Sequence, residues 1–238
     1  MRQQDRLQHQ LKIAVDECGP MNAVGSDVAN QIIAVINQKG GSGKTTLALN
    51  LAAGLARRGS TAVADADPQR SISQWIALGE DEQALPRATH IGEDTAAAID
   101  RLKQNHRYVV VDCPPTVQGK VIDVVLRAAD VALIPVLPSP LDLWASVEMA
   151  ALVGQAQQHN RALQAYLVLN QVETRNALSR VMQEAVAEFA VPLLQANLQR
   201  RAAYRSAAVE GVSVYGLGSR GLQAVEDIES IIQEILCR

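Results

Sequence analysis

The sequence lacks the long apolar segments that mark membrane-spanning and secreted proteins. No window approaches about 18 uninterrupted apolar residues, and residues 1–30 contain no continuous apolar stretch of the signal-peptide kind. Hydrophobic residues make up 48% of the 238 positions and charged residues 20%, which is too apolar a composition for a disordered chain. We therefore expect a soluble, cytoplasmic protein with one sizeable core.

Cysteine and aromatic residues are also few. The three cysteines stand far apart with no CxxC spacing, which disfavours a disulfide framework or a metal knuckle, so we expect three reduced thiols. Aromatic residues account for only 3% of the chain, too few for a base-stacking platform. Recognition of single-stranded nucleic acid is therefore disfavoured.

An excess of positive charge is absent as well. The formal net charge is −3 and the isoelectric point is about 5.8, so the molecule as a whole cannot coat nucleic acid. Any contact with DNA must come from a local patch of basic residues.

What the chain does contain is a regular alternation of apolar runs and amphipathic segments. The runs are rich in β-branched residues, as is typical of parallel strands buried on both faces, and the segments between them have helical spacing. This alternation predicts an α/β fold, a doubly wound, mostly parallel sheet flanked by helices. We assign residues 1–30 to a flexible or helical leader and residues 31–238 to the folded domain. The predicted strands cover residues 32–37, 61–65, 108–112, 131–136 and 165–170, and the predicted helices cover residues 44–58, 95–104, 119–128, 143–158, 176–189 and 221–236.

A glycine-rich loop lies between the first predicted strand and the first predicted helix. It reads Lys-Gly-Gly-Ser-Gly-Lys-Thr-Thr over residues 39–46, and its glycines let successive backbone N–H groups turn toward phosphate oxygens. In such a loop Lys44 bridges the β- and γ-phosphates, and the Thr45 hydroxyl takes one Mg²⁺ position. The spacing is a variant of the usual phosphate loop, because Gln38 stands where the first glycine is expected.

The same loop resembles the deviant Walker A box of the ParA/MinD superfamily. The resemblance depends on an extra lysine, here Lys39, which in that family reaches across an ATP-sandwiched dimer to the partner's phosphates. It implies ATP and Mg²⁺ as cofactors and catalytic roles for Lys39 and Lys44. The nucleotide contacts that it implies come from Gly40, Gly41, Ser42, Gly43, Lys44, Thr45 and Thr46.

Two acidic positions extend the resemblance. Residues 65–69, Asp-Ala-Asp-Pro-Gln, resemble the switch I segment of the family, in which the second aspartate, here Asp67, orients the attacking water. A carboxylate suits that role, because hydrolysis needs an acceptor that aligns water with the γ-phosphate. Asp112 ends a buried strand and resembles a Walker B residue, which implies that Asp112 and Asp67 reach Mg²⁺ through water. The alternative is structural, with Asp67 capping a turn and Asp112 capping a strand end.

Two further segments match the superfamily more weakly. Asn170 ends a predicted strand and is similar to the family asparagine that contacts adenine, the alternative being a turn residue. Residues 138–145, Pro-Ser-Pro-Leu-Asp-Leu-Trp-Ala, resemble the small plasmid-partition ATPases of the ParF kind. We predict that Trp144 in this segment packs in the core or in a dimer interface.

The C-terminal region distinguishes among the functions of the superfamily. The helix predicted over residues 221–236 is acidic, which disfavours binding to an anionic membrane and favours packing on the sheet. Arg200, Arg201 and Arg205 form a local basic cluster that could contact DNA phosphates, although surface arginines on a solvated face are common.

These observations predict a ParA-type ATPase with slow, Mg²⁺-dependent hydrolysis. The resemblance implies a homodimer with ATP that binds double-stranded DNA without sequence preference and so associates with the nucleoid, not with a membrane. It also implies a ParB-like or other adaptor that stimulates hydrolysis, and a plasmid, a chromosome or a protein organelle such as a carboxysome as cargo. The alternatives are a metabolic P-loop enzyme, such as an ATP-dependent carboxylase or amidoligase, and a MinD-like division-site regulator.

Overall fold

Within the described residues, six parallel strands form one sheet. The computed structural model describes residues 30–79, 85–92, 94–116, 119–173 and 190–237. The strands are β1 (Gln31–Val35), β2 (Thr61–Asp65), β3 (Ala88–His90), β4 (Tyr108–Asp112), β5 (Val131–Val136) and β6 (Gln164–Leu169). The helices are α1 (Lys44–Ala56), α2 (Ser71–Ala77), α3 (Thr95–Asn105), α4 (Lys120–Ala128), α5 (Pro140–Gln157), α6 (Ala202–Glu210) and α7 (Leu222–Leu236), with a 3-10 helix (Val214–Gly221) before α7.

The strand order is β3-β2-β4-β1-β5-β6, and each pair of neighbours is parallel. The chain builds one side of the sheet from β2, β3 and β4 and then crosses β1 to add β5 and β6. Such a reversal is the point where open α/β sheets bind ligands, outside the carboxyl ends of the strands. The predicted doubly wound sheet is confirmed, and the loop after β1 lies at this reversal.

Successive residues of β1 pack on opposite faces of the sheet. Ile33 and Val35 join a core cluster with α1 and α7, whereas Ile32 and Ala34 join a second cluster with α3, α4 and α5. All four side chains are at most 1% exposed. Burial on both faces explains why these strands are continuous apolar runs and not alternating ones.

The acidic helix α7 packs on the sheet, as predicted. Its isoleucines lie in the first core cluster. Glu229 on its outer edge accepts a hydrogen bond from the Tyr215 hydroxyl over 2.6 Å and pairs with Arg58, which follows α1. Apolar burial and a half-buried ion pair therefore fix α7 to the end of α1. In the described part of the chain no helix has the length and apolar character needed to cross a bilayer.

Besides the 3-10 helix, three short elements escaped prediction. The helix α2 has seven residues, β3 has three and α6 has nine, lengths over which apolar periodicity carries little signal. The helix predicted over residues 176–189 lies outside the described residues, and so does the leader except for Asn30.

The structure excludes one of the two placements expected for Trp144 and contradicts the expectation for one cysteine. Trp144 lies on α5 with 67% of its surface exposed, so it is not a core residue, and its packing in a dimer interface stays a prediction. Cys237 is disulfide-bonded, whereas we expected reduced thiols throughout. Cys113 is a free and fully buried thiol, in agreement with the expectation for that residue.

Candidate functional site

The loop between β1 and α1 has the backbone of a phosphate-binding loop. Gly41 and Gly43 adopt φ values of 75° and 93°, a left-handed conformation that residues with a β-carbon rarely take. Gly43 is the N-cap of α1, so the positive end of the helix dipole faces the loop. Asn37 shapes the entry to the loop, because its side chain accepts from the Lys39 N–H over 3.0 Å and donates to the Pro135 carbonyl over 2.8 Å.

The strand-terminal Asn170 supports the loop from the side. Its Nδ2 donates to the Ser42 carbonyl oxygen over 2.7 Å, and its Oδ1 accepts from the Gln171 N–H over 2.8 Å. Asn170 directly follows β6, at the strand end where it was predicted to lie. The contact seen is with the loop backbone, and the predicted contact with adenine stays a prediction.

Lys44 is a buried cation at the base of the loop. Its side chain lies among acidic groups, only 7% of the residue is exposed, and its Nζ donates to the Lys39 carbonyl over 3.2 Å. Burial lowers the pKa of Lys44, and the nearby carboxylates of Asp112 and Asp67 oppose that shift. A desolvated ammonium group between these acids is a suitable partner for the charged oxygens of a phosphate chain.

Thr45 and Asp112 form a direct pair at the ends of α1 and β4. The Thr45 hydroxyl donates to Asp112 Oδ2 over 2.7 Å. Asp112 Oδ1 and Ser42 Oγ are buried and have no hydrogen-bond partner in the described part of the chain. Burial raises the pKa of Asp112 to about 7, a rise that the Thr45 hydroxyl opposes and the neighbouring Asp65 increases. A carboxylate with such an oxygen has the chemistry to anchor a hydrated cation.

The segment after β2 holds its two aspartates in different ways. Asp65 is fully buried, and it accepts from the Asp67 N–H over 3.2 Å and from the Ser73 hydroxyl over 3.3 Å. Among the residues that the structure describes, Asp67 Oδ1 accepts only from the Gln69 N–H, over 2.9 Å. Asp65 is therefore a positioning residue that ties the turn to α2, and it leaves the carboxylate of Asp67 available near Lys44.

Lys39, the extra lysine of the loop, forms an ion pair within its own chain. Its Nζ lies 2.6 Å from Oδ1 of Asp142, in the first turn of α5. Asp142 was not predicted as a site residue, although the Ser-x-x-Asp spacing of Ser139 and Asp142 is a helix-start signature that places it in the first turn of a helix.

The three arginines of the predicted DNA patch differ in their partners. Arg200 forms an exposed ion pair with Glu173, and Arg201 is held by both oxygens of Asp227, at 2.7 and 2.9 Å. Arg205 on α6 is exposed and makes no hydrogen bond or ion pair among the described residues. Arg200 precedes α6, Arg201 is its N-cap and Arg205 lies within it, and the bond to Asp227 gives Arg201 a structural role as well.

A loop of left-handed glycines, a buried lysine and a Thr–Asp pair at the reversal point of a parallel sheet define a P-loop nucleotide-binding protein. Within this class, the profile of the CobQ/CobB/MinD/ParA nucleotide binding domain matches residues 33–214. The chain belongs to this family, which confirms its resemblance to the ParA/MinD superfamily.

Relatives named for carboxysome distribution cover most of the chain. The "Maintenance of carboxysome distribution protein A" of Halothiobacillus neapolitanus is 44% identical over 207 residues, which cover 86% of this chain and 95% of that protein. The protein of the same name from Gloeobacter kilaueensis is 32% identical over 211 residues, 86% of this chain and 94% of that one. The solved structure of Cyanthece apo McdA has the same fold, with a TM-score of 0.65 at 17% identity, over 86% of this chain and 99% of that chain.

Proposed function

We propose that the chain is a ParA-type ATPase that forms a dimer around ATP and Mg²⁺, binds DNA as that dimer and positions carboxysomes through an adaptor protein. The observation that carries the proposal is a phosphate loop with two lysines, one buried and one at the rim, in a chain with carboxysome-distribution relatives. The buried lysine of the loop is Lys44, and the lysine at its rim is Lys39.

ATP fits the loop through charge and hydrogen bonding. Residues 40–43 supply backbone N–H groups, α1 supplies its dipole, and Lys44 contributes an ammonium group to the phosphates. Thr46 follows in the first turn of α1, where its N–H is not yet used by the helix. We assign the adenine contact to Asn170, which lies beside the loop.

The same site fits Mg²⁺. Asp112 offers an unused buried oxygen next to the Thr45 hydroxyl, and Mg²⁺ in nucleotide sites takes one or two protein groups together with phosphate oxygens and water. We assign Thr45 to a direct contact, and Asp112 and Asp67 to contacts through water. When bound, the ion neutralises charge on the phosphate oxygens.

The remaining roles concern hydrolysis and dimerisation. The Asp67 carboxylate accepts a hydrogen bond from the attacking water and aligns it, since its only described partner is a single backbone N–H. Lys39, 43% exposed at the rim, donates to the phosphates of the partner chain. The adaptor stimulates this slow reaction, and hydrolysis returns the dimer to monomers that leave the DNA.

Dimerisation is the decisive test, because it depends on Lys39. In light scattering with Mg²⁺ and a non-hydrolysable ATP analogue, the wild-type chain doubles its mass, and Lys39→Ala stays monomeric. Lys120→Ala, which removes an exposed lysine at the start of α4, is the matched control and dimerises normally. A wild type that remains monomeric, or a Lys39→Ala variant that dimerises equally well, contradicts the proposal.

DNA binding separates the proposal from a metabolic P-loop enzyme. The dimer shifts two unrelated duplexes equally in gels with the ATP analogue and shifts neither with ADP, as expected for contacts to the phosphate backbone. Strong sequence preference, or equal binding with ADP, contradicts a positioning ATPase.

A further inference from the structure

The ion pair between Lys39 and Asp142 joins the phosphate loop to the first turn of α5. The ammonium nitrogen and the carboxylate oxygen are 2.6 Å apart, and the two side chains differ in exposure, 43% for the lysine and 8% for the aspartate. The lysine is therefore the member of the pair that has room to move.

The Asp142 carboxylate is held in place by its own helix start. Ser139 caps α5, and its hydroxyl oxygen accepts a hydrogen bond from the Asp142 N–H over 3.2 Å. The same hydroxyl donates a hydrogen bond to Asp142 Oδ2. Ser146 one turn later donates to the Asp142 carbonyl over 3.0 Å. The acceptor for Lys39 is thus prearranged, which lowers the entropic cost of forming the pair.

The backbone of Lys39 is fixed separately from its side chain. The Lys39 N–H donates to Asn37, and the Lys39 carbonyl accepts from the Lys44 ammonium. Release from Asp142 therefore requires only rotation of the lysine side chain, and the phosphate loop keeps its shape.

We propose that Asp142 is a latch that holds Lys39 within its own chain and must release it before Lys39 can reach the nucleotide of a second copy. The latch rests on the proposed function, since it regulates the dimer formed through Lys39. The Asp142 carboxylate lies on α5 of the same chain, so a Lys39 side chain turned toward it is not extended toward the nucleotide of a partner, and the two contacts compete for the position of one ammonium group.

Because both subunits must release Lys39, opening the latch enters the association constant of the dimer twice. Each chain enters the dimer only with its latch open, so the apparent association constant scales with the square of the open fraction. A half-exposed ion pair reduces that fraction by about threefold. Asp142→Asn, which keeps the size of the side chain and its acceptor for Ser139, should then strengthen dimerisation by about tenfold. A mixed dimer of wild type and variant should gain about threefold.

The experiment measures dimerisation against protein concentration by analytical ultracentrifugation, with Mg²⁺ and a saturating ATP analogue so that nucleotide affinity does not enter. Two variants serve as controls: Ser139→Ala weakens the start of α5 but keeps the carboxylate, and Asp123→Asn removes an exposed ion pair with Arg127 on α4. Asp123→Asn should dimerise like the wild type, and Ser139→Ala, which loosens the Asp142 carboxylate but keeps its charge, should gain less than Asp142→Asn. An unchanged or weaker dimer for Asp142→Asn overturns the latch, and so does an equal gain for Ser139→Ala.

A second readout uses the monomer and does not depend on dimerisation. In trace acetylation followed by mass spectrometry, Lys39 of the wild type should react several-fold more slowly than Lys39 of Asp142→Asn, with the exposed Lys120 as internal reference. Equal reactivity overturns the latch. A wild type that never dimerises contradicts the proposed function, and the acetylation comparison then decides the latch by itself.

Discussion

The side-chain amide nitrogen of Asn170 lies 2.1 Å from the point where a β-carbon on Gly43 would stand. The same amide donates to the carbonyl of Ser42, so the end of β6 forms one wall of the phosphate loop. Two features therefore require a glycine at position 43, namely its left-handed φ of 93° and the closeness of the Asn170 side chain. The arrangement connects the edge of the sheet directly to the nucleotide site.

This contact makes a double-variant prediction about nucleotide affinity. Gly43→Ala should weaken binding of a fluorescent ATP analogue by at least about tenfold, because strain at such a position costs about 1–3 kcal/mol. Adding Asn170→Ala should restore part of the affinity, since it removes the steric clash but leaves the backbone strain. Equal affinities for the single and double variants would show that Asn170 does not press on the loop.

Asn170→Ala alone distinguishes the two roles open to this residue. If it also contacts adenine, as we propose, the variant loses more affinity for ATP than for GTP. If it only supports the loop through Ser42, affinity for both nucleotides falls by the same factor, about fivefold for the loss of one hydrogen bond of ~1 kcal/mol. Competition titrations with the two nucleotides measure the difference.

Asp67 should affect turnover without affecting binding. Its carboxylate accepts from one N–H of its own turn, so Asp67→Ala should bind the ATP analogue within about twofold of wild type and lose at least about a hundredfold in turnover. The variant should accumulate as an ATP-bound dimer. Lys44→Ala is the contrasting variant, because removing the buried ammonium should abolish nucleotide binding. Loss of nucleotide affinity in Asp67→Ala would assign the residue a structural role.

The raised pKa of Asp112 predicts a pH dependence of stability. Its pKa rises from 3.8 to about 7 on folding, so the folded protein retains a proton that the unfolded chain releases between those values. The stabilisation is complete below pH 3.8 and is lost as the pH rises through about 7. Without nucleotide, the melting temperature should fall between pH 5 and pH 8 by at least about 3 °C more in the wild type than in Asp112→Asn, the shift that ~1 kcal/mol gives in a domain of this size. Parallel curves for the two proteins would contradict this assignment.

Residue types and strand order allowed much of the site to be predicted from sequence. Lys44, Thr45 and Asp112 follow or end buried parallel strands and so meet at one edge, as the sequence pattern required. The partner of Lys39 could not be predicted in this way, because Asp142 is 103 positions further along the chain and only the packing of α5 against the sheet places it at the loop. Long-range ion pairs leave no periodic signal in a sequence.

The exposure of single side chains on α5 was equally hard to predict. Leu143 is buried and Trp144, the next residue, is 67% exposed, yet both are apolar and sit in the same short segment. The helix starts at Pro140, three residues before its predicted start, because Ser139 provides a cap and Pro140 a suitable first residue. The packing of α5 on the sheet, and not the hydrophobicity of each residue, decides which side chain faces the core.

Arg201 and Arg205 are not equally suited to a test of DNA binding, because only Arg201 is bonded to other residues of the described chain. Arg201 is bound by both oxygens of Asp227, whose side chain is 10% exposed, and also donates to Gln223. Arg201→Glu would place two carboxylates together and should destabilise the fold by about 2 kcal/mol, so weaker DNA binding by that variant would not identify a DNA contact. Arg205, exposed and without a described partner, gives a clean test.

Arg205→Glu should weaken DNA binding by the ATP-analogue dimer while leaving the melting temperature within about 1 °C of wild type. Each dimer carries two copies of Arg205, so the slope of log K against log salt should become shallower by about 1.8, at about 0.9 per phosphate contact. The loss should be the same for unrelated duplexes, because backbone contacts carry no base readout.

Arg161→Glu is the matched control, since it makes the same charge change at another exposed arginine. Arg161 lies just before the first residue of β6, whereas Asn170 follows the last residue of that strand. Filter-binding titrations at several salt concentrations measure both variants. An unchanged salt slope for Arg205→Glu, or an equal loss for Arg161→Glu, would move the DNA surface away from α6.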